Sequence, residues 1–222
     1  MKTWLRQNKG FVAFLLCFGL FRTAVADWNP IPSGSMRPTL LEGDVVFVDR
    51  LAYDLKLPLS DIVLLPLADP RRGDIVTFSS PKDGSRLIKR IVGMPGDRIE
   101  MQGDRLLVNG RPARYDALEL GQEELGRGFA LRSLRATETV GEVAHAVQFL
   151  PTLAARRDFG PVVVPPDSFF MLGDNRDNSE DSRYIGVVPR ARLIGRATRL
   201  LVSADVLGDW RPRLGRFGQR LQ

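Results

Sequence analysis

The chain has 222 residues, of which 44 % are hydrophobic, enough for one domain with a sizeable core or one domain with a small insert. It contains one cysteine and one histidine, which excludes an internal disulfide and leaves no cluster of Cys and His for a zinc site. The net charge is +6, yet the sequence holds no motif for binding RNA or DNA. We therefore expect no nucleic-acid partner, no metal and no cofactor.

Positive charges concentrate at the two ends of the chain. A bilayer that contains anionic lipids attracts such clusters and explains both of them better than solubility alone. The basic residues are Lys2, Arg6 and Lys9 at the N-terminus and Arg211, Arg213, Arg216 and Arg220 at the C-terminus.

An apolar run over residues 11–21 follows the first basic cluster. Eleven residues are short for a membrane span, which needs about 20. Trp4 and Trp28 bracket the run, and the 24 helical steps between them cover about 36 Å, close to the separation of the two aromatic belts of a membrane. Arg22 could snorkel to the outer surface. This pattern predicts a retained membrane anchor with the N-terminus in the cytoplasm.

Two alternatives to an anchor stay open. A basic start, a short apolar core and the small residues Ala24-Val25-Ala26 also fit a cleavable secretory signal. A helix buried in the core of the domain is the other alternative.

Short apolar stretches between turn residues recur along the rest of the chain and predict strands. Few stretches have the period of a helix, so we expect a mostly β domain. The Asn109-Gly110 pair suits a type I′ turn and predicts a hairpin over 106–111. The other predicted strands cover residues 45–48, 61–66, 75–78, 86–92, 98–101, 162–164, 168–172 and 192–202, with a further one near 143–150.

The loop over residues 32–39 has the sequence Pro-Ser-Gly-Ser-Met-Arg-Pro-Thr. Prolines restrict the backbone on both sides, and Gly34 allows a conformation that other residues resist. Such a loop can hold one hydroxyl in an exposed position, so Ser35 is a candidate nucleophile. An ordinary turn is the alternative interpretation.

Lys89 lies inside an apolar strand, between Ile88 and Arg90. Burial disfavours the ammonium form and lowers the pKa of a lysine, so that a neutral amine becomes available as a base for a serine hydroxyl. A lysine on a solvent-facing strand edge is the alternative. His145 has no acidic residue at a familiar spacing, and we expect it to be structural or exposed.

The stretch 173–183 reads Gly-Asp-Asn-Arg-Asp-Asn-Ser-Glu-Asp-Ser-Arg and follows another apolar strand. Its acidic residues invite comparison with a calcium-binding loop. The comparison fails, because Arg176 occupies the third position counted from Asp174 and Ser179 stands where the loop requires glycine.

Taken together, the three segments resemble the bacterial type I signal peptidases, membrane-bound serine proteases with a Ser-Lys dyad. The resemblance covers the anchor and residues 29–50, 71–99 and 165–190. It implies a coiled β-sheet of the kind also seen in LexA-type repressors, with a single N-terminal transmembrane helix. We therefore predict an anchor over 1–28, a catalytic β domain over 29–102 and 161–205, a small inserted subdomain over 103–160 and a basic tail over 206–222.

The resemblance also implies roles for individual residues. Ser35 would be the nucleophile and Lys89 the general base, and the Ser33 hydroxyl and the Ser35 backbone N–H would stabilise the oxyanion. Ser179 would orient the lysine amine. Arg90, Asp181 and Arg183 would give structural support, with an ion pair between Asp181 and Arg183 near Arg90.

The implied substrates are exported precursors whose signal peptides end in a small-x-small sequence. The enzyme would sit in the inner membrane with its catalytic domain on the periplasmic side, and its partners would be the precursors and the lipid bilayer. One departure concerns Asn29-Pro30, where many relatives carry a phenylalanine ahead of Ile-Pro-Ser. The residues predicted to line shallow apolar substrate pockets are Ile31, Pro32, Met36, Leu40 and Ile88.

Two other functions remain open at this point. One is a specialised relative, such as a conjugation-system peptidase that matures a pilin-like substrate. The other is a protein that is not a protease, either a self-cleaving regulator or a membrane scaffold.

Overall fold

A computed structural model describes residues 4, 7–57, 60, 62–124 and 130–221. In chain order, its elements are α1 (Lys9–Ala24), β1 (Ala26–Pro30), β2 (Asp44–Asp49), β3 (Asp54–Lys56), β4 (Val63–Pro66), β5 (Ile75–Ser79), β6 (Arg86–Gly93), β7 (Arg98–Gln102), β8 (Arg105–Val108), β9 (Arg111–Pro112), β10 (Arg114–Glu124), β11 (Ala130–Val140), β12 (Val143–Phe149), β13 (Phe159–Val163), β14 (Ser168–Leu172), α2 (Ser182–Ile185), β15 (Val188–Pro189) and β16 (Leu193–Ser203). Short 3-10 turns occur at Gly34–Met36, Arg190–Arg192 and Leu214–Arg216. The predicted mostly β fold is therefore confirmed.

The main sheet has seven antiparallel strands in the order β1-β2-β16-β5-β6-β14-β15. Its strands are short apolar runs: alternate residues of β2 are buried, whereas every residue of β14 is buried, so β14 is covered on both faces. In β2, Val46 and Val48 are fully buried and join the core that also holds Ile75 and Leu200. This sheet carries the loop before β2 and the strand β6, which hold the two candidate catalytic residues.

Three smaller sheets surround the main one. Their strand orders are β10-β11-β12, β13-β7-β8-β9 and β3-β4. The predicted hairpin near 106–111 is confirmed as β8 and β9, and its Asn109-Gly110 turn has positive φ at both residues. The start of the strand predicted over 61–66 lies outside the described residues, and β4 supplies the rest.

The predicted boundaries of the insert differ from the observed organisation. The boundary after residue 102 falls within the β7–β8 hairpin, and the boundary after residue 160 falls inside β13. The reason is that β7 and β8 bury Ile99 and Leu106 in one apolar cluster, so the segment before the boundary packs with the segment after it. Within the predicted insert, β10, β11 and β12 form a three-stranded sheet of their own, which a bridge between Gln148 and Asn175 joins to the rest of the domain.

Helix α1 spans 16 residues and runs into β1. Within the part of the chain that the structure describes, no helix combines the length and the apolar character needed to cross a bilayer. Lys2 and Arg6 of the predicted anchor lie outside the described residues.

The C-terminal segment is attached to the domain, although the sequence predicts a basic tail over 206–222. Arg213 donates to the Glu42 carbonyl at 2.9 Å, and Arg216 donates to the Asp44 carboxylate at 2.6 Å. Both arginines therefore bind the segment 42–44 that leads into β2.

Candidate active site

Packing against the core fixes the position of the loop that carries Ser35. Residues Gly34–Met36 form a 3-10 turn, and the buried side chains of Met36 and Leu40 belong to the core cluster under the main sheet. The Leu40 backbone N–H also donates to the Met36 carbonyl at 2.9 Å. Because the following residues are fixed in the core, the Ser35 hydroxyl has a defined position at the rim of the sheet.

Lys89 points at this hydroxyl from β6. Its amine nitrogen Nζ lies 2.8 Å from Ser35 Oγ and donates to the Ile88 carbonyl at 2.9 Å. The side chain enters from the middle of the sheet, since Lys89 pairs with Val76 of the neighbouring strand β5. Only 3 % of Lys89 is exposed, which matches the predicted burial inside an apolar strand.

Burial lowers the pKa of the Lys89 amine to about 8, and the carboxylates of Asp181, Asp174 and Glu180 oppose this shift. About a tenth of the amine is therefore neutral at pH 7, far more than at the ordinary lysine pKa of 10.5. A neutral amine at hydrogen-bond distance can take the proton of a serine hydroxyl and so create a nucleophile.

Ser33 lies next to the pair. Its hydroxyl oxygen is 3.5 Å from Ser35 Oγ, and its backbone is extended, so residues 33 and 35 present their hydroxyls to one side. The structure thus brings together the three side chains Ser33, Ser35 and Lys89, as the sequence predicts. Their roles in a reaction remain predictions at this point.

Residues 173–175 cover the nucleophile loop from the opposite side. The Asn175 backbone N–H donates to the Ser35 carbonyl at 3.1 Å, and its side-chain amide donates to the Gly34 carbonyl at 3.0 Å. Gly173 packs so closely that an added Cβ would lie 2.5 Å from the Ser35 carbonyl oxygen and 2.2 Å from Ser179 Oγ. Neither Gly173 nor Asn175 has a role predicted from sequence, although both lie in the stretch 173–183.

A buried carboxylate ties the base strand to the nucleophile loop. Asp174 accepts two hydrogen bonds from Arg90, at 2.9 and 2.8 Å, and a further one from the Thr39 hydroxyl. Burial alone would raise the pKa of Asp174, but the Arg90 guanidinium holds it below its usual range. Arg90 follows Lys89 in β6, so this contact links the two halves of the candidate site.

Some of the contacts predicted for the residues that orient Lys89 or support the site are formed, and others are not. Asp181 and Arg183 form the predicted ion pair at 2.8 Å, and both side chains are fully buried. Arg90 pairs with Asp174, and this contact was not predicted from the sequence. The Ser179 hydroxyl is buried, and among the described residues it has no hydrogen-bond partner, so the predicted bond to the Lys89 amine is not formed.

His145 belongs to a separate buried polar cluster. It pairs across the strands with Glu138, whose carboxylate binds Arg176. Burial lowers the pKa of His145 to about 4, so the ring is neutral at neutral pH. This position agrees with the structural role that the sequence predicts for the histidine.

The three-stranded sheet also reaches the nucleophile loop. Arg37, two residues after Ser35, forms ion pairs with Glu42 and with the buried Glu123 of β10. Arg176 of the motif 173–183 binds Glu138 of β11. Two strands of this sheet therefore support the loops on both sides of the candidate site.

The predicted substrate pocket needs correction. Met36 and Leu40 have no exposed surface and Ile31 is 3 % exposed, and all three belong to one core cluster, so they do not line an accessible pocket in this structure. Pro32 is exposed and Ile88 is half-buried. The cleft that opens beside the serine has a volume of ≈ 420 Å³ and is more polar than predicted. It is lined by Ser33, Gly34, Ser35, Lys82, Asp177, Asn178, Ser179, Glu180 and Tyr184.

Acidic side chains are frequent around the site and pair with basic ones: Asp174 with Arg90, Asp181 with Arg183 and Glu180 with Lys82. Among the described residues, no group of three or more His, Cys, Asp or Glu side chains is arranged to hold a metal ion. The reactive groups that the structure places together are the Ser35 hydroxyl and the Lys89 amine, 2.8 Å apart. Such a pair fits the class of hydrolases that use a serine nucleophile with a nitrogen base.

Comparison with known proteins places the chain within this class. It belongs to the family described as signal peptidase, peptidase S26, whose family model matches residues 3–202. It is 34 % identical over 211 residues to the signal peptidase I of Pseudomonas fluorescens, covering 90 % of this chain and 72 % of that protein. The signal peptidase I of Pseudomonas aeruginosa matches with the same identity, length and coverage.

Further relatives lie outside the pseudomonads. The signal peptidase I of Leptolyngbya laminosa is 31 % identical over 209 residues, covering 90 % of this chain and 80 % of the relative. A solved signal peptidase I from Enterococcus faecalis V583 is 33 % identical and aligns with 60 % of this chain and 99 % of that chain, at a TM-score of 0.36.

Proposed function

We propose that this protein is a signal peptidase, a serine endopeptidase that removes signal peptides from exported precursors, with Ser35 as nucleophile and Lys89 as general base. The observation that carries the proposal is the 2.8 Å contact between the Ser35 hydroxyl and a buried amine in a member of this peptidase family. Relatives at 34 % identity that bear the name signal peptidase I support the substrate class.

In the first half of the reaction, the neutral Lys89 amine accepts the Ser35 proton as Ser35 Oγ attacks the scissile carbonyl carbon. Negative charge develops on the carbonyl oxygen, where the Ser35 backbone N–H and the Ser33 hydroxyl are the proposed donors. The peptide C–N bond then breaks, and the Lys89 ammonium gives its proton to the departing amine. The product is an ester between Ser35 and the signal peptide.

The second half releases the signal peptide. A water molecule loses a proton to the Lys89 amine and attacks the ester carbonyl carbon. The C–O bond to Ser35 breaks, and the serine oxygen takes the proton back from Lys89. The enzyme returns to its starting state with no net change in protons on the dyad.

We also propose that the protein is held in the cytoplasmic membrane by its N-terminal segment, with the catalytic domain outside. The support is the apolar run over 11–21 and its continuity with the domain, since a single residue, Val25, separates α1 from β1. Asp27 of β1 accepts hydrogen bonds from Arg22 of α1 at 3.2 Å and from Arg86 of β6 at 2.9 Å. These bonds tie the end of the helix to the strand that carries Lys89.

The same contacts bear on the small residues Ala24-Val25-Ala26, which could be read as a cleavage site. Ala26 and Asp27 are buried, and both pair with β2. A protease needs an extended segment that is free to bind in its cleft. A paired and buried strand resists this, which supports a retained helix.

The test is cleavage of a precursor that carries an Ala-x-Ala site by the purified full chain, with the new N-terminus identified by sequencing. Ser35→Ala and Lys89→Ala should each abolish cleavage while the melting temperature shows a folded protein. Ser85→Ala, which alters an exposed serine in the turn before β6, is the matched control and should cleave normally. Near-normal turnover by Lys89→Ala would overturn the assignment of the base.

A dedicated peptidase for one pilin-like substrate is the second candidate function. The departure Asn29-Pro30 from the relatives' pattern favours it, because these residues precede the nucleophile loop. Arg86 also binds the Asn29 side chain at 2.9 Å. Rescue of a strain depleted of its signal peptidase would support the general function, and cleavage confined to a single precursor would support the dedicated one.

A further inference from the structure

One ion pair joins two walls of the cleft beside the candidate nucleophile. The Lys82 amine donates to the Glu180 carboxylate at 2.8 Å, and both residues line the cleft together with Ser33 and Ser35. Lys82 lies in the turn between β5 and β6, and Glu180 lies in the stretch 173–183. A substrate segment that enters the cleft therefore meets this pair next to the serine.

The pair is open to a substrate. The side chains of Lys82 and Glu180 are 58 % and 55 % exposed, so a molecule in the cleft can reach both charges. Among the described residues, the Lys82 amine donates to Glu180 alone. A lysine ammonium has three N–H donors. Lys82 therefore keeps two donors for a second carboxylate.

Three other carboxylates near the cleft each have an arginine partner. The pairs are Asp174–Arg90, Asp181–Arg183 and Asp177–Arg157, with N···O distances of 2.8, 2.8 and 3.1 Å. Glu180 thus faces two lysines, because its carboxylate pairs with Lys82 and also raises the pKa of Lys89. At a pKa of about 8 the Lys89 amine is mostly protonated at pH 7. One carboxylate balances two ammonium groups, and these groups together leave one positive charge in excess.

The other charged residues near Lys82 are bound outside the cleft. Asp83 accepts hydrogen bonds from the backbone N–H and the hydroxyl of Ser85, at 3.0 and 2.7 Å. Arg86 donates to the side chains of Asp27 and Asn29, both at 2.9 Å. Neither Asp83 nor Arg86 lines the cleft beside the serine. Lys82 is therefore the exposed cation that a substrate meets there.

We propose that Lys82 selects precursors by charge, by binding an acidic side chain among the first three residues of the mature protein. This inference rests on the proposed signal peptidase function. The signal peptide ends in small apolar residues, which gain nothing from a charged wall. The mature side of the scissile bond is therefore the side that fits this polar cleft.

The sign of the preference follows from the charge balance. An acidic side chain supplies the negative charge that the two lysines lack, whereas a basic side chain adds to the positive excess. The contact exists before the reaction as well as in the transition state, so it should lower KM and leave kcat nearly unchanged. Because both charges are exposed, salt should weaken the preference.

The experiment compares peptides that differ in one charge. Each peptide carries an Ala-x-Ala site, and one of the first three residues after the site is Asp, Ala or Lys. The purified full chain in detergent cleaves them at low salt, and kcat and KM are measured for each. The result is the ratio of kcat/KM for the Asp peptide to that for the Lys peptide. Both values come from one enzyme, so a change in the reactivity of the dyad cancels.

We expect the natural protein to favour the Asp peptide by roughly fivefold at one of the three positions, the order that an exposed ion pair supplies. Lys82→Met should bring the ratio near one, and Lys82→Glu should reverse it. Lys82→Arg keeps the charge and should keep the preference. Arg114→Glu is the matched control, because it reverses an exposed charge on β10, away from the cleft, and should leave the ratio as in the natural protein.

Each outcome decides the proposal. Equal cleavage of the Asp, Ala and Lys peptides, or a preference for Lys, would overturn charge selection by Lys82 and leave the proposed peptidase function intact. Cleavage of no peptide would remove both. An Asp preference that survives in Lys82→Glu would place the selecting charge elsewhere. An equal loss of preference in Arg114→Glu would show that the net charge of the protein, and not the cleft, attracts the acidic peptide.

Discussion

The amine nitrogen of Lys89 lies 2.8 Å from the hydroxyl oxygen of Ser35, although 54 positions separate the two residues in the chain. The contact exists because the buried turn that carries Ser35 packs beside β6, which carries Lys89 in the middle of the main sheet. Lys89 is shielded from water by the same packing, and burial is what lowers its pKa.

The pH dependence of cleavage follows from this burial. The pKa of Lys89 is lowered to about 8, so the amine loses its proton as the pH rises through that value. The base is active only when neutral, and kcat/KM should fall about tenfold for each pH unit below the pKa. A pH profile measured with a substrate for which chemistry limits the rate checks this. A flat profile across the mildly acidic range would contradict a lysine base.

The same shift affects stability. Between pH 8 and the ordinary lysine value of 10.5, the unfolded chain binds more protons at residue 89 than the folded chain does. The free energy of unfolding that this group contributes therefore rises with pH across this window. Below pH 8, the destabilisation caused by burying the charged Lys89 amine has its full value and does not change with pH. Lys89→Met should remove this slope, which denaturant titrations at several pH values would detect.

Removing the Ser33 hydroxyl should slow the reaction. Ser33 Oγ lies 3.5 Å from Ser35 Oγ, close to where the oxygen of the attacked carbonyl would carry charge. Losing one oxyanion donor costs about 10²–10³ in kcat, and KM should stay nearly constant because the bond strengthens only in the transition state.

Steady-state kinetics of Ser33→Ala and Ser33→Thr test this prediction. Threonine keeps the hydroxyl and should recover most of the rate. If Ser33 were only a turn residue, Ser33→Ala would lower the melting temperature and leave kcat within a few-fold of the natural enzyme.

Gly173→Ala should damage the site by crowding. An added Cβ would lie 2.5 Å from the Ser35 carbonyl oxygen, so the backbone of the nucleophile loop or of residues 173–175 must move. Overpacking of this kind costs about 1–3 kcal/mol of stability, and displacement of Ser35 should reduce kcat further than the stability loss explains.

Gly215→Ala is the matched control, because a Cβ at that position meets no atom within 4 Å. Denaturation curves and single-turnover rates of both variants separate crowding at the site from a general effect of alanine. Equal behaviour of the two variants would argue against the close packing at Gly173.

Asp174→Asn should destabilise the protein strongly. The change leaves the Arg90 guanidinium buried without its charged partner, and breaking a buried pair of this kind costs about 3–5 kcal/mol. Asp209→Asn alters an exposed pair with Arg211 and should cost less than about 1 kcal/mol. Urea denaturation measures both values. Similar losses of stability in the two variants would show that the buried Asp174–Arg90 pair stabilises the protein no more than the exposed pair does.

Much of the fold could be predicted from sequence because it depends on local patterns. Short apolar stretches between turn residues predicted most strands of the main sheet, and Asn109-Gly110 predicted a hairpin, since a type I′ turn has a strong local preference. The long strands β10 and β11 were not predicted. Their residues mix charge and apolar character, and Glu123 and Glu138 are buried only because Arg37 and Arg176 come from distant parts of the chain.

The candidate site shows the same division. The loop around Ser35 and the lysine in an apolar strand could be identified from residue types, as the chemistry of a serine requires a nearby base. The predicted pocket residues Met36 and Leu40 are core residues, because whether an apolar side chain faces a cleft or the interior depends on the packing around it.

By itself, the sequence determined the residue types that can do the chemistry, the apolar run at the N-terminus and the short apolar stretches that form the strands of a β domain. Only the tertiary structure decided that Asn175 holds the Ser35 loop and that Asp174 joins Arg90 to Thr39. These relationships join residues that lie far apart in the chain. Local propensities do not encode these contacts. They form when the strands pair in register and the core packs around them.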